Sequence, residues 1–268
     1  MSNWIFLSKH GTDPFINQFA TGCGSTPLDT ENFVYEESSS PLCFRGILKK
    51  KIIKQCWDDR RDFYFMDTGY FGNESTASNP NGYKIWHRIV KNNLQHNLVV
   101  KRPSDRWESL NKKILPWKTP GRKILIAAPD EKPCKFYDIN LENWLQTTVS
   151  EIKKYTDRPV EVRQRSKLRI DRTVSNTLQS ALDDDVFALV TFNSNAATES
   201  ILYGIPAFVL APVSAALPVA SNDLSKIETP NYASIDERYE WACHLAYGQF
   251  SVKELKTGQA KTMLEELW

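Results

Sequence analysis

Several features that would assign this sequence quickly are missing from it. Nowhere do about 18 apolar residues run together, so no segment reads as a bilayer-crossing helix. The five cysteines (Cys23, Cys43, Cys56, Cys134 and Cys243) are odd in number and never stand as CxxC, which argues against a disulfide framework or a zinc site and for a reducing, cytoplasmic compartment. The four histidines have no ligand spacing such as HExxH, so neither a metal nor any other cofactor is expected. No GxGxxG follows a strand, which disfavours a dinucleotide-dependent dehydrogenase. The opening residues MSNWIFLSKHG lack a positive stretch before the apolar run and read as a first strand, not a signal peptide.

What remains is the composition of an ordinary globular protein, 41% hydrophobic and 25% charged over 268 residues. That length suits two domains of roughly 100–150 residues. The net charge of +2 hides an imbalance. Residues 1–123 hold 19 Lys and Arg against 12 Asp and Glu, whereas 124–268 hold 15 against 20. A basic first half fits a polyanionic partner, because clustered cations displace counterions from phosphates. Ordinary solvated surface charge gives the same count.

Along the chain, WIFL, DFYFMDT and YKIWHRIV read as strands, and Arg45–Cys56 carries apolar residues at helical spacing. KRPSDRWESLNKKILPWKTPG, with three prolines, reads as a linker holding a short helix, which divides the chain into domains 1–120 and 121–268. Beyond it, strands at KILIAAPD, PVEVR and VFALVTF alternate with helices at 140–155 and 174–182, the pattern of a parallel sheet. Two further helices are expected over 236–249 and 251–267. The fold class is therefore α/β, two Rossmann-like lobes with a cleft between them and C-terminal helices.

The most informative stretch is ALVTFNSNAATESILYGIPAFVL, residues 188–210. A strand ends near Phe192, a polar turn follows, and a helix begins near Ala196. Ligands of parallel sheets sit beyond the carboxyl ends of strands. Ser or Asn suits the cap of such a helix, and its free N–H groups suit a phosphate. Glu199, one turn in, is placed to accept from ribose hydroxyls. A plain capped helix, with Glu199 favouring its own dipole, is the competing reading.

This segment resembles the nucleotide-binding segment of GT-B glycosyltransferases, most closely the capsule-polysaccharide type, with their strand, serine-rich turn, small-residue helix bearing Glu, and G-[IK]-P strand entry. The C-terminal RYEWACHLAYGQFSVKELKTG is similar to the tail of related phage and capsule proteins, and the resemblance covers roughly residues 123–260. It implies that Ser194, Asn195 and Ala196 meet the phosphates of a nucleotide-sugar donor and Glu199 its ribose.

Other residues fit around that core. Arg163 and Lys167, in VEVRQRSKLRIDR, follow a strand and suit a leaving phosphate. Asp67, closing an apolar strand, suits a base that takes a proton from an acceptor hydroxyl, and one base with direct displacement inverts the anomeric centre. Capping of its own turn is the alternative for Asp67. His10 is a weaker rival base. Asp183–Asp185 precede a strand rather than follow one, so they read as a solvated loop, not a metal–nucleotide DxD. Lys49, Lys50, Lys51, Arg60, Arg61, Arg88 and Lys91, among aromatics such as Trp57, Tyr70 and Trp86, suit a nucleic acid or a sugar polymer.

The resulting expectation is a metal-independent glycosyltransferase acting on a hydroxymethylated pyrimidine in phage-type DNA. A capsular or lipid-linked glycan is the alternative acceptor, and a non-enzymatic nucleotide- or sugar-binding module the alternative class. The sugar, the nucleotide and the oligomeric state are not legible.

Overall fold

The computed structural model describes residues 3–36, 38–47, 49–73, 85–118, 120–164 and 177–268. The strands there are β1 (Ile5–Ser8), β2 (Leu28–Asp29), β3 (Leu42–Arg45), β4 (Phe63–Thr68), β5 (Trp86–Lys91), β6 (Lys123–Ala127), β7 (Val160–Arg163), β8 (Val186–Thr191), β9 (Ala207–Val209) and β10 (Gln249–Ser251). The helices are α1 (Pro14–Gly22), α2 (Lys50–Asp58), α3 (Asp105–Ser109), α4 (Glu131–Tyr137), α5 (Leu141–Lys153), α6 (Leu178–Asp183), α7 (Ala196–Leu202), α8 (Ile235–Tyr247), α9 (Val252–Lys256) and α10 (Gln259–Leu267). They assort into two compact units: residues 1–94 with 245–268, and residues 95–244.

Unit 1 is built on a six-stranded sheet of order β10-β5-β4-β3-β1-β2. β2, β1, β3 and β4 run parallel, β5 is antiparallel to β4, and β10 is antiparallel to β5. Side chains alternate between the two faces of a strand. Phe6, Cys43, Tyr64 and Met66 therefore share one face, where they meet Ile16 and Phe19 of α1, Leu255 of α9 and Leu264 of α10. Phe44, Phe63 and Phe65 alternate to the other face, which is buried as well, and Trp57 of α2 lies edge-on to Phe63 there. Each such apolar side chain removed from water contributes about 1.5–3 kcal/mol.

Unit 2 is built on a four-stranded, wholly parallel sheet of order β7-β6-β8-β9. Both faces of its central strands are covered, which is why KILIA and VFALV are continuous apolar runs rather than alternating ones. Ile124, Ile126, Ala188, Val190 and Phe208 pack with Ile152 of α5 on one face. The Asn140 side chain caps α5 by accepting from the Asn143 N–H.

The two α/β units agree with the expected fold class, and their limits differ from the expected domains. The stretch expected as a linker is bound into unit 2: Leu115 N–H donates to Leu202 O at 2.8 Å and Lys118 N–H to Gly204 O at 2.8 Å. Arg238 of α8, buried, donates to the Leu115 carbonyl and lies over the Trp117 ring. Gly204, at φ +81°, faces the Pro116 carbonyl so closely that a Cβ would come to 2.1 Å from its oxygen. At the far end of the chain, β10 joins β5 and α9 packs on α1, so 245–268 completes unit 1. The single helix expected over 251–267 is broken at Gly258, whose φ of +75° ends α9. β3, inside and ahead of the helix-like run beginning at Arg45, and α1, α4 and β10 were not expected from the sequence.

Candidate functional site

The order of unit 2's sheet creates one special place. From β6 the chain goes to β7 on one side and then to β8 on the other, so the connections diverge between the carboxyl ends of β6 and β8. Ligands of open parallel sheets bind at such a switch point. Here the β6 end is followed by Ala128, Pro129 and Asp130, and the β8 end by Phe192, Asn193, Ser194 and Asn195.

This edge is held rigidly. The Thr191 hydroxyl donates to Ala127 O at 2.7 Å, tying the two strand ends together. Leu210 N–H donates to Thr191 O and Ala211 N–H to Phe192 O, extending the β8–β9 pairing beyond the strands. Gln95, buried, donates to Asn193 O at 2.9 Å and accepts from Ala215 N–H at 2.7 Å. A buried amide spending both ends on backbone in two loops fixes their relative position.

Within the turn, Ser194 takes two of the first amides of α7. Its hydroxyl accepts from Ala196 N–H at 3.2 Å and its carbonyl from Ala197 N–H at 3.1 Å. Asn195 is the cap residue by position, but its side chain does not cap. Ser194 and Asn195 are half-buried, Ala196 is buried, and Glu199 is the one exposed residue of α7, where Ala196, Ala197, Thr198, Ser200 and Ile201 are buried and Leu202 is half-buried. Tyr137 and Trp144 stand edge-on to Phe192, with ring centres 5.0 and 6.5 Å away, an aromatic wall beside the turn that the sequence reading did not collect. Its members come from α4 and α5, which no local spacing connects to Phe192.

Arg163 ends β7 in register with Ala127, and its carbonyl accepts from Ala128 N–H at 3.0 Å. It shares the carboxyl edge with Ser194, but β6 runs between their strands, a separation of roughly 10 Å. Lys167 lies outside the described residues, as do Arg165, Arg169 and Arg172 of the same basic run. The acidic triplet is exposed, as expected, and is ion-paired: Asp183 with Lys118, Asp184 with Lys123, Asp185 with Arg122. Asp183 also accepts from the Tyr203 hydroxyl, and its carboxyl is held below the usual range by that bond first and by Lys118.

In unit 1, Asp67 stands near the carboxyl end of β4, opposite Arg88 of β5 in register. One carboxylate oxygen accepts from Thr68 N–H at 2.8 Å, and the other is 3.3 Å from Arg88 Nη2. Arg88 is buried, donates also to Thr68 O at 2.7 Å, and faces the Tyr70 ring. His10 is exposed at φ +51°, with Nδ1 3.3 Å from Glu31 Oε2.

The remaining basic residues do not form one surface. Lys49, Lys50 and Lys51 open α2 at the carboxyl edge of the sheet. Arg60, Arg61 and Lys91 lie at the opposite edge, beside the start of β4; Arg61 is buried with N–H groups on Ser40 O and Glu36 O, and Lys91 pairs with Asp62. Among the described residues no three His, Cys, Asp or Glu side chains stand close enough to hold a metal ion, and no helix is long and apolar enough to cross a membrane.

No protein-family model matches the chain, and no curated protein matches it. Solved structures do. Thermosulfurimonas dismutans KpsC, beta Kdo 2,4 transferase, superposes with a TM-score of 0.50 over 90% of this chain and 91% of that one at 9% identity. Thermosulfurimonas dismutans KpsC, beta Kdo 2,7 transferase, matches over 97% of this chain and 99% of that one at 11% identity with a TM-score of 0.46. The chain thus has a GT-B-like fold of two α/β units similar to that of KpsC.

Proposed function

We propose that this protein is a glycosyltransferase moving a sugar from a nucleotide-sugar donor to a hydroxyl of a surface glycan. The observation that carries the reading is the Asn193–Ala196 turn, fixed by Gln95 and Thr191 at the switch point of a parallel sheet in a GT-B-like fold. In this reading the donor phosphates lie against Ser194, Asn195 and Ala196, where the Ser194 hydroxyl is free to turn from the Ala196 amide to a phosphate oxygen. Glu199 accepts from the ribose hydroxyls. Arg163, with Lys167, supplies positive charge to the departing phosphate, a stabilisation realised as the bond breaks.

Asp67 is the proposed base. The acceptor oxygen forms the new bond to the anomeric carbon, its proton passes to the Asp67 carboxylate, and the bonding pair of the old C–O bond leaves with the nucleotide. Its contact with Arg88 keeps the carboxylate oriented. This single displacement inverts the anomeric centre, and a retained centre in the product would remove both the displacement and the role of Asp67.

A glycan is preferred to DNA because the basic residues that suggested a nucleic acid are divided between opposite edges of one sheet, with Arg61 and Arg88 buried. A nucleotide-activated Kdo is the first donor to test, since the similar structure is a beta Kdo transferase. The test incubates the full chain with labelled nucleotide sugars and, separately, acidic glycans, neutral glycans and hydroxymethylated DNA. Label in glycan that disappears with Asp67→Asn is expected. Label in DNA alone would reverse the acceptor, and label in none would remove the activity.

A further inference from the structure

Unit 1 has a switch point of its own. β1 is flanked by β2 on one side and β3 on the other, so the connections diverge between the carboxyl ends of β1 and β3. Around that point stand Lys9, Asp13, Arg45 and Lys49, of which Arg45 closes β3 and Lys9 follows β1 directly. Arg45 Nη1 is 3.3 Å from Asp13 Oδ2, and its guanidinium lies over the Phe15 ring at 4.9 Å. Arg45 Nε is buried and has no hydrogen-bond partner among the described residues. Lys49 is half-buried, with its ammonium 3.0 Å from the Arg45 carbonyl.

Asp13 is also committed elsewhere. Its other oxygen accepts from the Phe15 and Ile16 N–H groups as the cap of α1. Arg45 pairs with Asp13, and half-buried Lys49 and exposed Lys9 lie near enough for their charges to bear on the same place, so positive charge there exceeds what the one carboxylate balances. Burial pushes the Lys49 amine down, and Lys9 and Arg45 add to that while Asp13 opposes it. Beside Arg45, Gly46 has a φ of +89°, and apart from its own chain neighbours no described atom lies within 4 Å of where its side chain would begin, so the backbone is open on that side.

We infer that Lys9, Arg45 and Lys49 form a binding site for an oxyanion, a carboxylate or phosphate carried by the acceptor, so that the preferred acceptor is an acidic sugar. This rests on the glycosyltransferase reading for the word acceptor; the anion site itself stands on the cluster. A monodentate ammonium contact and a guanidinium N–H together suit a carboxylate or a phosphate, and neither recognises a neutral sugar.

Isothermal titration of the full chain at constant ionic strength tests it, with glucuronate, glucose 6-phosphate and glucose as probes. One of the two acidic sugars is expected to bind at least about tenfold more tightly than glucose, and which one does so identifies the anion. Lys49→Gln and, as the exposed and structurally safer change, Lys9→Gln should each weaken that binding about tenfold, the loss of one charge-assisted contact. Nucleotide-sugar binding should be unchanged in both. Equal binding of acidic and neutral probes, or acid binding indifferent to both substitutions, overturns the inference. Acid binding that responds to both substitutions in a protein that binds no nucleotide sugar upholds this site and instead removes the donor reading.

Discussion

Asp67 and Arg88 face each other in register across β4 and β5, with Oδ2 and Nη2 3.3 Å apart. The pair joins a partly exposed carboxylate to a buried guanidinium. Asp67 keeps about a third of its side chain in solvent, whereas Arg88 is buried and also satisfies the Thr68 carbonyl. Asp67→Asn preserves the shape and the bond from Thr68 N–H but removes the carboxylate proposed as proton acceptor. Turnover should fall by about 10²–10⁴ with donor affinity unchanged. Arg88→Leu should instead lower stability by about 1–3 kcal/mol, because the Thr68 carbonyl loses its donor. Steady-state kinetics and urea unfolding separate the two effects, and full turnover in Asp67→Asn would leave the carboxylate a purely structural role.

Gly204 carries a second prediction. Its φ is +81°, and a Cβ placed on it would lie 2.1 Å from Pro116 O, so even alanine must displace the 115–118 strap. Gly204→Ala should cost about 3 kcal/mol or more from backbone strain and overpacking together. A melting temperature within a degree of the parent would show that the strap yields freely.

His244 predicts a pH dependence. Burial first, and then the Arg102 charge, lowers its pKa from 6.5 to about 4, and Val100 N–H donates to its Nδ1 at 3.2 Å. Above pH 6.5 the ring is neutral in both folded and unfolded chains, and stability is complete. As pH falls from there towards 4 the unfolded chain takes up a proton that the folded chain refuses, so stability is lost across that window, by about 3 kcal/mol at its end. His244→Asn retains an acceptor for Val100 and does not titrate. The difference in unfolding free energy between parent and variant should therefore slope between pH 6.5 and 4, and a flat difference would contradict the assignment.

The second unit was the more legible of the two because its signals are local. KILIA and VFALV are apolar without interruption, apolar residues recur at helical spacing over 140–155, and the polar turn at 193–195 falls where a strand ends. The strap was misread because its partners are distant: Leu115 bonds to residue 202, and Arg238 reaches back to Leu115. Prolines and charges mark a linker only when such partners are lacking. β3 was obscured because Arg45 ends a strand while residues a few positions on begin α2, and helical spacing merged the two. In the same way the sequence placed Asp67 at a strand end but not beside Arg88, since register between strands is not written in either strand alone.

Donor binding at the carboxyl edge of unit 2 is the claim on which the proposed chemistry most depends. Hydrogen–deuterium exchange on the full chain, with and without saturating nucleotide sugar, reads that directly. Occupancy of the switch point should slow exchange at Ala128–Asp130 and at Asn193–Glu199, and Glu199→Ala should weaken the protection at a fixed ligand concentration. Protection confined to other segments, or none at a concentration that supports sugar transfer, would contradict the assignment.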